Sequence, residues 1–203
     1  FLTCATTDRD GNIWIGSEAA GAVCLSVMED VAARYIYPEP GNNDETANHI
    51  YALRYETDGR LTACTRKNEL VSVDCYGGTP ALKAGRLPAP AFAMMTDSHG
   101  RPWTGTRGAG LFIGRRHYHT SSKDSRLPCD DIYDLAEAPR NHFWIATWGG
   151  GLLRATLDGQ GTLRWQAMLD GSPNERRVRC LADDGRGTMW AGTDNGLYAI
   201  SYG

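Results

Sequence analysis

Five segments of this chain repeat one short pattern, and that repetition limits the fold more than any other feature. "NIWIGSEAAGAVCL" begins at Asn12, "RPWTGTRGAGLFI" at Arg101, "FWIATWGGGLLRA" at Phe143 and "TMWAGTDNGLYAI" at Thr188. A degenerate copy, "RLTACTRKNELVSV", begins at Arg60. The common form is an apolar residue, Trp, any residue, a small residue, Ser or Thr, a short Gly-rich link, then Leu and alternating residues. A polar turn precedes each copy, as in "DRDG" at Asp8 and "DSHG" at Asp97. The aligned residues Trp14, Thr62, Trp103, Trp144 and Trp190 are spaced 48, 41, 41 and 46 apart. A strand-rich period in the forties is the mark of a β-propeller. The glycines at Gly149–Gly151 are therefore read as part of a hairpin. A phosphate loop would need a Gly-Lys-Ser/Thr ending and a following helix pattern, and neither is present.

Each copy reads as three strands and a variable fourth. The first strands are "FLTCATT", "HIYALRY", "AFAMMT", "DIYDLAE" and "RVRCLAD". They alternate, and β-branched or aromatic residues recur in them, which favours strand over helix. Outer strands are expected in "ARYIYPE" and "TLRWQAM", and "GNNDETAN" and "LDGSPNE" read as connectors. The expectation is a single all-β propeller region over 1–203, in about five four-stranded blades. The approximate repeats are 1–47, 48–88, 89–129, 130–175 and 176–203. The repeated Trp is read as filling between blades. The small residue two places on (Gly16, Cys64, Gly105, Ala146, Gly192) leaves room for close approach. The Ser or Thr after it bonds local backbone.

Composition removes several classes of function. The net charge is −3 over 203 residues, with 22% charged. A nucleic-acid binder would usually carry a basic patch and a high pI. No apolar run has the length of a membrane span. "FLTCATTDRDG" lacks the basic start and apolar core of a leader and reads as a strand at a blade boundary. The six cysteines are Cys4, Cys24, Cys64, Cys75, Cys129 and Cys180, and none forms a C-x-x-C pair. No zinc site, metal or cofactor is expected. Cys4 and Cys180 share a repeat position with Ala52, Ala93 and Asp134, which reads as packing. The disulfide state and redox compartment stay open.

"SRLPCDDIYDLAEAPRNHFWIATWGGGLLRA" and "RRVRCLADDGRGTMWAGTDNGLYAI" resemble two-component regulator propeller repeats. Copy two departs from the pattern, lacking the Trp and the Gly-Gly link. The resemblance implies the periplasmic sensor region of a hybrid two-component regulator of Bacteroidetes. Such a region detects a glycan fragment and signals to a histidine kinase in the remainder of the receptor chain. Propellers of that kind usually close with seven blades, so the chain is expected to be an excerpt of a larger propeller. A closed five-bladed ring is the alternative.

In a propeller, the start of each innermost strand and the link between second and third strands share one face. The strand starts bring Asn48, His49, Asp130, Asp131, Arg176 and Arg177 to it. The links bring Glu18, Arg66, Lys67, Arg107, Trp148, Asp194 and Asn195. Tyr51, Phe92, Tyr133 and Arg179 share one register just inside. From these, Trp148, His49, Asp131, Arg107, Arg177, Tyr133, Asn195 and Arg179 are the candidate ligand residues. Sugars need paired hydrogen bonds and flat rings over their C–H faces, and Trp148 stands in a link rather than in a blade core. Arg107, Arg176 and Arg177 suit a carboxylate or sulfate. Ordinary solvated loop residues are the bland reading.

The chain is expected to bind an oligosaccharide without catalysing a reaction. A propeller lyase is the enzymatic alternative: streptogramin lyases also carry the Gly-Asn-Ile-Trp motif, found here at Gly11–Trp14. His49 with Asp131 or Tyr133 would be its candidate acid–base pair. "HYH" at His117 is a weak metal hint. A protein-interaction scaffold is the third reading, and a homodimer stays open.

Overall fold

The computed structural model describes residues 1–18, 21–26, 32–35, 49–74, 82–139 and 141–202. The fold is an all-β propeller of five antiparallel blades. The chain divides into two compact units, Phe1–Ala91 and Phe92–Gly203. The first holds blade 1, with strands β1 (Leu2–Thr7), β2 (Ile13–Ser17), β3 (Ala22–Leu25) and β4 (Ala32–Tyr35). It also holds blade 2, with β5 (Ile50–Tyr55), β6 (Arg60–Thr65), β7 (Glu69–Asp74) and β8 (Leu82–Arg86). Blade 3 starts at the boundary, with β9 (Ala91–Thr96), β10 (Pro102–Thr106), β11 (Leu111–Ile113) and β12 (Arg116–Tyr118). Blade 4 has β13 (Ile132–Ala138), β14 (His142–Thr147), β15 (Leu152–Leu157) and β16 (Leu163–Leu169). Blade 5 has three strands among the described residues, β17 (Val178–Asp183), β18 (Thr188–Thr193) and β19 (Gly196–Ser201). The described residues add no sixth or seventh blade. Asn48, Cys75 and the connector "GNNDETAN" lie outside them, and the five described cysteines are free.

The repeated Trp is a blade-core residue in three copies: Trp14 is 1% exposed, and Trp103 and Trp144 are 0% exposed. Trp190 is the exception, at 39%. No following blade covers β18 among the described residues, and Cys180 is exposed on the same sheet for the same reason.

An acidic residue six places earlier anchors the buried indole. Trp14 Nε1 donates to Asp8 at 3.0 Å, and Trp103 Nε1 to Asp97 at 2.8 Å. In blade 2 both partners are replaced together, and Thr62 Oγ1 donates to Glu56 at 2.7 Å. The same carboxylates close the polar turn: Asp97 accepts from the backbone N–H groups of His99 and Arg101, and Asp8 from those of Asp10 and Asn12. Burial alone would raise the pKa of Asp8 and Asp97, but hydrogen bonds from Asn12 and Trp14, and from Trp103 and Arg101, hold both below the usual range. Groups lowered on folding stabilise the protein above their unfolded pKa, about 3.9 for Asp, and lose that stabilisation as pH falls through the folded value. Urea midpoints should therefore hold down to about pH 5 and fall below about pH 4. Asp97→Asn should lower the neutral midpoint and flatten this acid limb.

Blade 4 breaks the rule. Ala138 occupies the acid position, and Trp144 Nε1 is buried with no hydrogen-bond partner among the described residues. A buried donor left unsatisfied costs about 1–3 kcal/mol. Ala138→Asp restores the acceptor found in blades 1 and 3. It should raise stability by about 1 kcal/mol, or a few degrees in Tm, measured by thermal unfolding.

Adjacent blades interlock through the small residue two places after the Trp. A Cβ on Gly16 would meet Ile50 Cγ2 at 2.9 Å, and one on Gly105 would meet Ile132 Cγ2 at 2.4 Å. Ile50 and Ile132 each open the next blade's first strand. Where the small residue grows to Cys64, the opening residue shrinks to Ala91, whose N–H lies 3.4 Å from the Cys64 sulfur. Burial pushes that thiol up to about 11. Ala146 and Val178 form the fourth pair, in one buried cluster.

Candidate functional site

The upper face is shaped by the links. Four of the five links are tied off by the Ser or Thr that precedes them: the hydroxyls of Ser17, Thr106, Thr147 and Thr193 donate to the carbonyls of Gly21, Gly110, Gly151 and Gly196 at 2.8–3.0 Å, while in blade 2 Thr65 Oγ1 accepts from Glu69 N–H at 3.3 Å. Gly110 and Gly151 have φ of +73° and +84°, and a Cβ on either would strike the carbonyl oxygen of Tyr118 or Leu169. Only glycine fits this combination of backbone and approach. The turn chemistry, and not the side chains of the link, sets its path.

In the second unit these links zip to the strand starts. Gly108 and Gly110 N–H donate to the Asp130 carbonyl, Trp148 N–H to Asp131, Gly149 and Gly151 N–H to Arg176, and Asp194 N–H to Arg177. Arg107 and Asp131 form an isolated antiparallel bridge, as do Trp148 and Arg177. The result is a continuous rim running Arg107, Asp131, Trp148, Arg177, Asp194. Strand starts and links thus share one face, as the topology requires.

Just inside the rim stand Phe92, Tyr133 and Arg179. The ladder shifts register between Ile132 and Asp134 and between Val178 and Cys180. Tyr133 and Arg179 are therefore bulge residues, and a bulge re-aims its side chain. Tyr51 holds the equivalent place in the first unit. The sequence shows the shared register but carries no bulge signal, because the extra residue is ordinary in type.

These side chains form one stack. Phe92 and Tyr133 lie with ring centroids 5.4 Å apart and planes 5° apart, and Tyr133 and Trp148 with 5.1 Å and 20°. Arg107 caps the Phe92 end at 5.9 Å from the ring centroid. Arg179 and Arg177 lie 4.3 and 5.4 Å from the Trp148 ring. Asp194 fastens both cations, at 2.7 Å to Arg179 Nε and 3.7 Å to Arg177 Nη1. Cation–π contacts of this kind contribute about 0.5–1 kcal/mol each at exposed sites. The sequence reading gave the rings to sugar C–H faces. In the structure those faces are spent largely on one another and on guanidinium groups. The stack therefore presents ring edges and half-exposed arginines.

Six of the eight candidate residues belong to this assembly: Arg107, Asp131, Tyr133, Trp148, Arg177 and Arg179. Asn195 stands apart from the stack, with its amide donating to Tyr198 Oη at 3.1 Å, which in turn donates to Glu175. His49 belongs to the first unit. It is 9% exposed and meets Tyr51 in a tilted ring contact at 4.7 Å and 56°, and its Nε2 lies 4.0 Å from Glu18, too far for a hydrogen bond. Burial lowers its pKa, against the pull of Glu18. Asp134, at the repeat position of Cys4 and Ala52, is a partly buried carboxylate that accepts from the backbone N–H groups of Leu135 and Leu181 at 2.8 and 2.7 Å. Desolvation raises its pKa against those bonds. Its role as a clamp between blades 4 and 5 is not visible in a pattern of otherwise small residues.

The two imidazoles of "HYH" do lie together, His117 and His119 being 4.8 Å apart. Each has other business: His117 stacks on Phe112 and meets the Ala109 carbonyl at 2.6 Å, and His119 Nδ1 accepts from Ser121 N–H. Among the described residues no group of three His, Cys, Asp or Glu side chains is placed to hold a metal ion.

A repeat-built propeller with a cationic, aromatic rim on one face is the class these features define. The family model described as two component regulator propeller matches residues 171–195, the connector and first two strands of blade 5. No curated protein matches the chain. Among solved structures, it resembles the extracellular domain of a hybrid two component system from B. thetaiotaomicron, at TM-score 0.68 and 15% identity, covering 100% of this chain and 31% of that one. It also resembles virginiamycin B lyase from Staphylococcus aureus, at TM-score 0.69 and 11% identity, covering 97% and 64%. PorZ, a surface component of the type-IX secretion system of Porphyromonas gingivalis, gives TM-score 0.73 and 17% identity, covering 98% and 32%. The chain thus spans a third to two thirds of the proteins it resembles. Its fold is related both to sensor propellers of two-component systems and to propellers of the lyase and PorZ types. Among the described residues no helix is long and apolar enough to cross a membrane.

Proposed function

We propose that this chain is the ligand-sensing part of a periplasmic receptor, and that its rim binds an acidic oligosaccharide fragment whose arrival is relayed to a histidine kinase. The observation that carries this reading is the stack from Arg107 through Phe92, Tyr133 and Trp148 to Arg179 and Arg177. Arginine forks pair with carboxylates and sulfates through two parallel bonds, and ring edges line the sugar body. The two component regulator repeat in blade 5 supports the receptor setting. The test is a thermal-shift screen against acidic and neutral oligosaccharides, since a ligand that binds only the folded state raises Tm by mass action. A shift confined to acidic members supports the reading. Equal shifts with neutral sugars, or none from a folded chain, count against it.

The likeness to virginiamycin B lyase favours a second reading, an enzyme. Turnover of an oligosaccharide or of virginiamycin B by this chain, with or without an added divalent metal ion, would put it first.

A further inference from the structure

We propose a second site on the face opposite the rim: a cleft between blades 3 and 4 that takes a small carboxylate with an apolar body. It stands independently of the glycan reading. Its origin lies in strand length. In blade 3 the outer hairpin has only three residues per strand, Leu111–Ile113 and Arg116–Tyr118, while β15 and β16 of blade 4 have six and seven. The short hairpin leaves a gap beside the blade 4 turn. That gap is a cleft of about 380 Å³, within the roughly 300–1,000 Å³ of small-molecule sites. Ile113, Leu157 and Tyr118 give it an apolar floor.

Three arginines line this cleft, in a chain whose net charge is −3. Arg101 Nε binds Asp97 at 2.6 Å, as the Asn12 amide binds Asp8 in blade 1. The turn needs one such donor. Arg101 brings a whole guanidinium, and its Nη2 is buried without a partner among the described residues. Arg116 lies against Gly161, donating to its carbonyl at 3.2 Å. Arg115 is exposed at the hairpin tip. Among the described residues neither Arg115 nor Arg116 has an ion-pair partner. Asp158 also lines the cleft; its Oδ1 accepts the Gln160 and Thr162 N–H groups at 3.0 and 2.8 Å, and no ion pair joins it to either arginine among the described residues. With Arg101 paired to Asp97, Arg115 and Arg116 outnumber the single lining carboxylate, and an anion offsets the positive charge that remains. A carboxylate meets the guanidinium fork, and a ring or branched chain covers the floor.

The experiment titrates the whole chain with benzoate, its uncharged analogue benzamide, and inorganic sulfate, following the backbone amide NMR signals of Gly159, Gln160 and Gly161. Benzoate should shift them saturably, benzamide and sulfate far less. Arg115→Glu, a change at an exposed position, should weaken benzoate by about tenfold. No saturable shift with benzoate overturns the proposal. So does equal binding of benzamide or sulfate, or undiminished affinity in a folded Arg115→Glu chain.

Discussion

Trp148→Ala is expected to remove most of the Tm increase given by an acidic oligosaccharide while leaving the chain folded. The fold survives because Trp148 holds its link through backbone: its N–H binds Asp131, and its neighbours Gly149 and Gly151 bind Arg176. The lost ring contacts with Tyr133, Arg177 and Arg179 should lower stability by only about 1 kcal/mol. Binding suffers more. The indole is the surface against which both arginines are positioned, and Asp194 then draws them sideways without opposition. Truncating an aromatic anchor of this kind typically costs about 2 kcal/mol or more, roughly thirtyfold in Kd. For the parent chain, ligand at a hundred times Kd adds about 2.7 kcal/mol, or roughly 5–10 °C for a domain of this size. Most of that shift should vanish in the variant at the same concentration. Raising the salt from low to physiological strength should shrink the parent's shift, because half-exposed arginines are screened. A shift that survives both changes would place the ligand elsewhere on the molecule.

The legible part of this protein was what repetition exposes. Five registered copies gave the blades, their strands and the face on which links and strand starts converge. The packing of Trp14, Trp103 and Trp144 followed from the same alignment. Trp190 did not, because burial depends on the neighbour that covers a residue and not on its place in the pattern. The acid six places before Trp14 and Trp103 was visible as part of a polar turn, but its bond to the indole was not. Blade 2 shows why: Glu56 and Thr62 keep the pairing with both residue types changed. In the candidate site, the sequence assembled Arg107, Tyr133, Trp148, Arg177 and Arg179 on one face. It missed that bulges re-aim Tyr133 and Arg179 so that rings meet rings. Ring stacking depends on a few ångströms of backbone path, which Gly110 and Gly151 set through steric contacts with other strands. The cleft beside Arg115 was equally silent, since it arises from a difference in length between two hairpins.

Gly105→Val should be among the most destabilising single changes in the second unit, and Ile132→Ala should rescue it. Gly105 lies on β10 where Ile132 of the next blade presses in, and both Ile132 and the neighbouring Trp103 are 0% exposed. A Cβ alone would sit 2.4 Å from Ile132 Cγ2 and 2.8 Å from its Cβ. Neither atom is the end of a flexible chain, so the blades themselves must part. Overpacking typically costs about 1–3 kcal/mol and here should reach the upper end or beyond, because the two added methyls of Val have nowhere to turn. At roughly 2–4 °C per kcal/mol, Tm should fall by about 6–12 °C. Ile132→Ala alone should cost about 2–5 kcal/mol by leaving a cavity. The two changes together should cost clearly less than their sum, with a coupling of about 1–3 kcal/mol. Blade 2 already carries the exchanged arrangement at the equivalent repeat positions, with Ala91 N–H against the Cys64 sulfur. Gly105→Cys with Ile132→Ala should therefore be the better-tolerated pair. Strict additivity in urea unfolding would mean that the two residues do not share one space, and that the volume exchange between blades is not what locks them together.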